Sequence, residues 1–109
     1  HAGGGRLMFK VKAPETFGTT LTIVGQGREQ KLKLTYRHLL KDDYKALMDK
    51  LAAGEITPAQ AVLELVVEWD ADVDLDTDGV ETALQHQIGL DTAIIHGYAQ
   101  AIQVARKGN

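Results

Sequence analysis

The chain has 109 residues, which is enough for one modest hydrophobic core and too few for two independent domains. It contains no cysteine and no serine, which excludes disulfides, zinc–thiolate sites and thiol or serine nucleophiles, and which suits an intracellular protein. No apolar run approaches the ~20 residues that a membrane-spanning helix needs, so we expect no membrane partner.

The formal net charge of −3 conceals a division along the chain. Residues 1–50 carry a charge of +5, whereas residues 51–109 carry −8. Such a division is compatible with nucleic-acid contact by the basic half, with two complementary faces of a self-associating protein, or with solvated faces that merely differ. We expect self-association, with charges on neighbouring copies compensating one another head to tail.

Residues 1–5 (HAGGG) are typical of the end of an affinity tag and its spacer, so fold reasoning begins at residue 6. We predict a single α+β domain over residues 6–109. Its β part is expected over residues 6–38 and its helical part over residues 41–107.

Alternating apolar and polar residues predict three strands in the β part. Pro14 and Gly18 mark the first connection, while Gly25 and Gly27 can adopt the positive φ angles of a hairpin turn. The predicted fold therefore starts with an N-terminal three-stranded antiparallel sheet that has one apolar and one lysine-rich face. The predicted strands lie within residues 6–13, 19–25 and 29–39.

The hydrophobic period changes to 3.6 at Lys41, which predicts about four helices packed on the apolar face of the sheet. The first helix is expected to end at Gly54. The sequence Thr57-Pro58-Ala59-Gln60 is a capping-box pattern with proline at the first helical position, and it starts the second helix. The apolar stripe of that helix is predicted to include Val62, Leu65, Val66 and Trp69.

Residues 70–78 are rich in aspartate and are called the acidic segment below. Two further helices are predicted from the end of this segment onward. Asp78 with Glu81 three residues later resembles an acidic capping box and predicts the start of the third helix. Asp91 is expected to cap the fourth. The predicted apolar faces are Val80, Ala83, Leu84 and Ile88 in the third helix, and Ile94, Ile95, Tyr98, Ile102 and Ala105 in the fourth.

Five aspartates occupy alternate positions from Asp70 to Asp78 and precede Gly79, so a calcium loop has to be considered. Asp74, Asp76 and Asp78 match positions 1, 3 and 5 of an EF-hand loop, and Gly79 matches position 6. Position 12 of that loop needs a bidentate glutamate, and it is Gln85 here. A capped helix explains the same residues without a metal. We therefore predict no metal site and no cofactor.

No combination of side chains predicts catalysis. His38, His86 and His96 are isolated from one another in the sequence, without the i, i+4 spacing of a helical metal site. The segment GQGREQ lacks the lysine and the helix start of a phosphate-binding loop. We therefore predict that the protein is not an enzyme.

The segments VVEWDADVD and AIIHGYAQAI resemble corresponding segments of the phage tail assembly chaperones of tailed phages and prophages. In that family a Val-x-x-Trp helix end is followed by a turn, a helix, and a last helix with alanine and tyrosine. The resemblance covers residues 28–106. The matching positions are Val66, Trp69, Val73, Leu84, Ile94 and Tyr98.

The resemblance implies a non-catalytic protein of the bacterial host cytoplasm. Such chaperones bind the tape measure protein, help the tail tube protein to assemble around it, and self-associate, so a homo-oligomer is expected. The well-formed, lysine-faced β region leaves open a second role, as a minor tail or connector protein.

A third interpretation is a nucleic-acid-binding adaptor that uses the basic face of the sheet. This face has no aromatic residue among its basic ones to stack on bases, which disfavours nucleic acid as a partner. A solvated face that discourages edge pairing is the simpler interpretation. The candidate interaction face comprises Lys10, Lys12, Lys31, Lys33 and Arg37.

Overall fold

The computed structural model describes residues 8–108. Over these residues the chain forms a three-stranded antiparallel sheet of order β1-β2-β3 and four α-helices, which confirms the predicted α+β class. The predicted tag remnant, residues 1–5, lies outside the described residues. The elements are β1 (Thr16–Gly25), β2 (Arg28–Arg37), α1 (Lys41–Ala52), α2 (Pro58–Leu65), β3 (Val66–Trp69), α3 (Thr77–His86) and α4 (Leu90–Ile102).

Strands β1 and β2 form a long hairpin in unbroken register from Thr16 opposite Arg37 to Gly25 opposite Arg28. Two residues make the turn, and both have positive φ, 56° at Gln26 and 76° at Gly27. Positive φ at both positions matches a type I′ turn, whose twist suits a hairpin. The predicted turn is confirmed, although Gln26 rather than Gly25 adopts the second positive φ.

The prediction of a strand over residues 6–13 is wrong for the described residues of that range. Residues 8–13, called the arm below, contain no strand, and residues 6 and 7 lie outside the described residues. Only Pro14 and Glu15 separate the arm from β1. A tight two-residue hairpin requires positive φ at its first central residue, whereas proline is fixed near −65°. The arm therefore cannot fold back onto β1 through such a turn.

The third strand is instead β3, which sequence analysis placed in the second helix. Helix α2 starts as predicted, with the complete Thr57–Gln60 capping box, and then passes into β3 at Val66, where φ is −108° and ψ is 126°. A stripe at helical spacing and a short strand of β-branched and aromatic residues share these positions. Pairing of Leu34 with Trp69 in the sheet decides between them.

Helix α1 is confirmed, and Gly54 follows it with a φ of 76°. The predicted cap of α3 is wrong, because Asp76 rather than Asp78 is the N-cap and its side chain accepts a hydrogen bond from the Gly79 amide. Asp78 lies in the first turn, where its charge still favours the helix dipole.

The ends of α3 and α4 also differ from the predictions. Ile88 follows the end of α3 and is 93% exposed, so it belongs to no apolar face. The N-cap of α4 is Gly89, at a φ of 94°, and Asp91 lies in the first turn without capping it. Ala105 lies beyond the C-terminal end of α4 and is exposed.

The core lies between the inner face of the sheet and the helices, with α2 and α4 against the strands. Gly97 of α4 lies so close to β1 that an added Cβ would be 2.7 Å from Leu21 Cδ2. The predicted apolar face of the sheet is therefore covered by helices. Side chains with almost no exposure are Tyr36, Val62, Leu65, Val66, Val80, Ile94 and Tyr98.

Candidate interaction surfaces

Five of the six positions that carry the sequence resemblance lie in or beside the core, and the sixth, Val73, lines a surface cleft. Val66, Ile94 and Tyr98 are buried. The other three, Trp69, Val73 and Leu84, are half-buried. None of the six is fully exposed, and all but Val73 contribute to the packing of the fold.

Tyr98 joins the last helix to the end of the hairpin. Its hydroxyl donates a hydrogen bond to the Arg37 carbonyl at 2.9 Å and accepts one from the Leu39 amide at 2.8 Å. In the opposite direction, the hydroxyl of Tyr36 on β2 donates to the carbonyl of Ile94 on α4 at 2.7 Å. These bonds satisfy backbone groups where the strand ends and fix α4 over the sheet.

An aromatic cluster surrounds these hydroxyls. The rings of Tyr36 and Tyr98 meet edge to face at 5.0 Å, and Tyr44 of α1 stacks on Tyr98 at 5.6 Å. Phe17 of β1 approaches Tyr36 at 5.6 Å. The cluster therefore connects the sheet with the first and last helices.

Burial raises the pKa of both tyrosines. For Tyr36 desolvation is the main cause, and the neighbouring Tyr98 hydroxyl adds to it. Desolvation also raises the pKa of Tyr98, against a smaller lowering by the Leu39 amide and with a further increase from Tyr44. Both hydroxyls therefore remain neutral donors at physiological pH.

Trp69 closes the turn after β3. Its indole Nε1 donates a hydrogen bond to the Val73 carbonyl at 2.9 Å, which holds the start of the acidic segment against the sheet. Trp69 was predicted in the apolar stripe of the second helix, but it ends a strand, and its indole fixes the turn that follows.

The acidic segment is held by hydrogen bonds to β2 and by the cap of α3. The Lys33 amide donates to Asp70 Oδ1 at 2.9 Å, while the Asp70 amide donates to the Lys33 carbonyl at 3.2 Å. Asp76 caps α3, and a Cβ added to Gly79 would clash with the carbonyl oxygen of Asp74. Within residues 8–108 no group of three or more His, Cys, Asp or Glu side chains could hold a metal ion.

The outer face of the sheet carries charges of both signs. Lys31 donates to the Thr22 hydroxyl at 2.8 Å, and the Arg37 guanidinium donates to the Glu64 carbonyl at 3.1 Å. Glu68 of β3 approaches the Thr35 hydroxyl at 3.4 Å, so the acidic half of the chain supplies part of this face. The predicted basic face is therefore mixed.

The five basic residues of the candidate interaction face do not share the sheet. Lys31, Lys33 and Arg37 are exposed on β2, but Lys10 and Lys12 are exposed in the arm, outside the sheet.

A cleft of about 650 Å³, the hairpin-tip cleft, lies between the hairpin end, the acidic segment and α3. The side-chain Nε2 of Gln26 donates to the His86 carbonyl at 2.8 Å and joins the hairpin tip to the end of α3. Val24 and Ile88, each two residues from that bond, are 73% and 93% exposed. The cleft lining includes apolar Ile23, Leu32, Ala83 and Leu90 and charged Arg28, Lys31, Asp70 and Asp72.

Sequence analysis did not identify this cleft. Its walls come from three separate segments, which become neighbours only through the β2–β3 pairing and the contact of the hairpin tip with α3. No pattern within one segment signals the cleft, and the helical stripe had assigned the exposed Ile88, which follows the cleft residue Gln87, to the core.

The fold and surface are those of a small α+β protein with exposed apolar side chains and a sheet face of mixed charge. The chain belongs to the phage tail assembly chaperones: the family model described as "Phage tail assembly chaperone" matches residues 6–109. Comparisons with curated proteins and with solved structures gave no significant match. Among the described helices, none has the length and apolar character to cross a membrane.

Proposed function

We propose that this protein is a non-catalytic tail assembly chaperone that binds the tape measure protein and helps the tail tube protein to assemble around it in the host cytoplasm. The observation that carries the proposal is the family match across residues 6–109. This match favours the chaperone over a minor tail or connector protein. The mixed charge of the outer sheet face disfavours the nucleic-acid adaptor.

The hairpin-tip cleft is the surface that best suits such a client. Exposed Ile88 directly follows the cleft residue Gln87 and offers apolar contact beside the cleft, and apolar side chains at the binding surface provide most of the affinity. Arg28 and Asp72 line the same cleft with opposite charges, which orient a client and contribute little net affinity.

Self-association is a further part of the proposal. The charge component of self-association is smaller than the division of the sequence suggests. Strand β3 places Glu68 beside Thr35 of β2, on the sheet face that carries the lysines, so part of the charge is compensated within one chain. Exposed ion pairs contribute only about 0–1 kcal/mol each, so apolar burial must supply most of the association energy. Light scattering across a salt series separates the two contributions.

The test of client binding uses the purified chain and segments of the tape measure protein encoded by the same phage or prophage, titrated by calorimetry. Ile88→Asp should weaken binding at least ten-fold, since it places a charge in the apolar contact. Val104→Asp is the matched control, because Val104 is 94% exposed but follows the far end of α4 from cleft residue Leu90. Absence of binding by the wild-type chain, or equal effects of both variants, would contradict the proposal.

A further inference from the structure

The outer edge of β1 is an unpaired strand edge. In the sheet order β1-β2-β3, β1 pairs with β2 on one side, and no described strand pairs with the other. The strand is ten residues long and contains neither proline nor a charged residue. Natural edge strands are usually protected by short length, charge, proline or a bulge, and β1 has none of these.

The hydrogen-bond pattern identifies which β1 groups face this edge. The His38 amide donates to the Glu15 carbonyl at 2.8 Å, so Glu15 and His38 form a hydrogen-bonded pair of the antiparallel ladder. Such pairs alternate with non-bonded ones along the hairpin. Every second residue from Thr16 therefore directs its N–H and C=O away from β2. These residues are Thr16, Gly18, Thr20, Thr22 and Val24.

A groove of about 560 Å³ runs along this edge between β1 and α4. Thr20 and Thr22 contribute to the edge side of the groove, and the small residues Ala93 and Gly97 contribute to the helix side. The groove leaves room for side chains that project from an added strand toward the core side of the sheet.

The arm has the sequence pattern of the missing strand. Phe9 and Val11 alternate with Lys10 and Lys12, so an extended arm has one apolar and one basic face. Phe9 is 88% exposed and Val11 is 84% exposed, which leaves two large apolar side chains uncovered by the described part of the same chain.

We propose that the arm of one copy adds to the outer edge of β1 in a second copy as a fourth strand. Six extended residues span about 20 Å, and the ten residues of β1 span about 33 Å, so the arm fits within the edge. Phe9 and Val11 then point into the groove beside α4. Lys10 and Lys12 join Lys31 and Lys33 on the outer face.

The occupant is a second copy because the arm's own connection to β1 disfavours pairing within one chain. Pro14 cannot adopt the positive φ of a tight two-residue hairpin, and the Glu15 carbonyl already accepts the bond from His38 on the β2 side. Strand addition between chains uses main-chain hydrogen bonds for affinity and alternate side-chain pockets for specificity.

The test measures molar mass by size-exclusion chromatography with light scattering, using the full chain. Wild type should elute with at least twice the 11.9 kDa mass of one chain. The double variant Phe9→Ser/Val11→Ser should elute as a monomer. The matched control, Lys10→Ser/Lys12→Ser, changes the other face of the same arm and should remain associated. A monomeric wild type, or an apolar-arm variant as associated as wild type, overturns the proposal.

The acceptor edge is tested by Thr20→Pro, which removes an outward N–H and leaves the β1–β2 bonds in place. Thr20→Val, which keeps that N–H, is its control. With a native circular dichroism spectrum, Thr20→Pro should be monomeric and Thr20→Val associated. The arm variants alone decide the proposal if Thr20→Pro fails to fold.

A mixing experiment distinguishes strand addition from non-specific hydrophobic association. The Phe9→Ser/Val11→Ser chain keeps an intact edge, and the Thr20→Pro chain keeps an intact arm. When mixed, the two monomers should form a 1:1 complex through one arm and one edge. Failure of two folded monomers to combine overturns the proposal, and it leaves client binding at the hairpin-tip cleft unaffected.

Discussion

The two edges of the sheet differ in length, charge and regularity of register, which all control strand pairing. The β3 edge is four residues long, contains Glu68, and has a register shift where Tyr36 pairs with Val66. Its end is closed by the reciprocal bonds between Lys33 and Asp70. The β1 edge is ten residues long, uncharged and unbroken in register.

This contrast shows that the chain protects one edge and leaves the other available. Protection at β3 comes from the acidic half of the sequence, which also forms the turn after Trp69. The charge division along the chain therefore has a local structural use at β3. The β1 edge has no corresponding acidic neighbour within its strand.

The largest expected effect is at the protected edge. Trp69→Ala should lower the free energy of unfolding by about 2–3 kcal/mol, less than the ~3–5 kcal/mol of a fully buried tryptophan, because the ring is half-buried. Val67→Ala, on the exposed side of the same strand, should cost less than about 1 kcal/mol. Urea unfolding measures both. Equal losses would show that Trp69 does not anchor this edge.

The next effect concerns the end of β2, the strand between the two edges, where the hydroxyl of Tyr98 on α4 binds the backbone. Tyr98→Phe should lower the free energy of unfolding by about 1–2 kcal/mol, because it leaves the Leu39 amide and the Arg37 carbonyl without their partner. Tyr44→Phe is the matched control, since the Tyr44 hydroxyl makes no hydrogen bond in the described part of the chain. It should stay within about 0.5 kcal/mol of wild type. A larger loss for Tyr44→Phe than for Tyr98→Phe would refute this assignment.

The same tyrosines predict a pH dependence. Because folding raises the pKa of Tyr36 and Tyr98, the folded state holds these protons more tightly than the unfolded chain does. Their stabilisation is complete below the ordinary tyrosine pKa of about 10 and is lost as the pH rises through and above it. Thermal unfolding between neutral and alkaline pH should show this loss. It should be smaller in Tyr36→Phe, once corrected for the lower stability of that variant.

A smaller effect on stability is expected at the N-cap of α3, in the turn that follows β3. Asp76→Ala should lower stability by about 1 kcal/mol, because the Gly79 amide loses its cap. Asp78→Ala removes only a charge near the helix dipole and should cost a few tenths of that amount, about 0.3 kcal/mol. The reverse order would restore the capping residue expected from the sequence.

The smallest effect concerns charge at the open edge. Thr20→Lys should weaken self-association about two- to five-fold, because Lys10 and Lys12 of the added arm lie on the same face. Thr20→Glu should strengthen it by a similar factor. Sedimentation at low salt measures both, and added salt should reduce the difference. If Thr20→Lys and Thr20→Glu self-associate with the same affinity, Lys10 and Lys12 do not lie beside Thr20 in the assembly.

Local signals in the sequence predicted much of the fold. The Thr57 capping box, the helix before Gly54 and the inward positions of β2 were each determined by a few neighbouring residues. These features depend on hydrogen bonds and periodicity within one element, so a single sequence contains the necessary information.

The errors arose where tertiary pairing decides between two local patterns. Val66 and Trp69 fit both a helical stripe and a short strand, and the free side of β2 selects the strand. The arm alternates as a strand should, but Pro14 prevents the tight turn that would place it against β1. The hairpin-tip cleft combines three segments and had no local signal.

The most direct test of the open edge is amide hydrogen exchange along β1 at two protein concentrations. At high concentration the account predicts slow exchange at both sets of amides, those facing β2 and those facing outward, such as Thr20 and Thr22. On dilution only the outward set should become fast, while Thr19 and Leu21, which face β2, stay protected. Outward amides that exchange fast at every concentration, or slowly at every concentration, would contradict strand addition between copies.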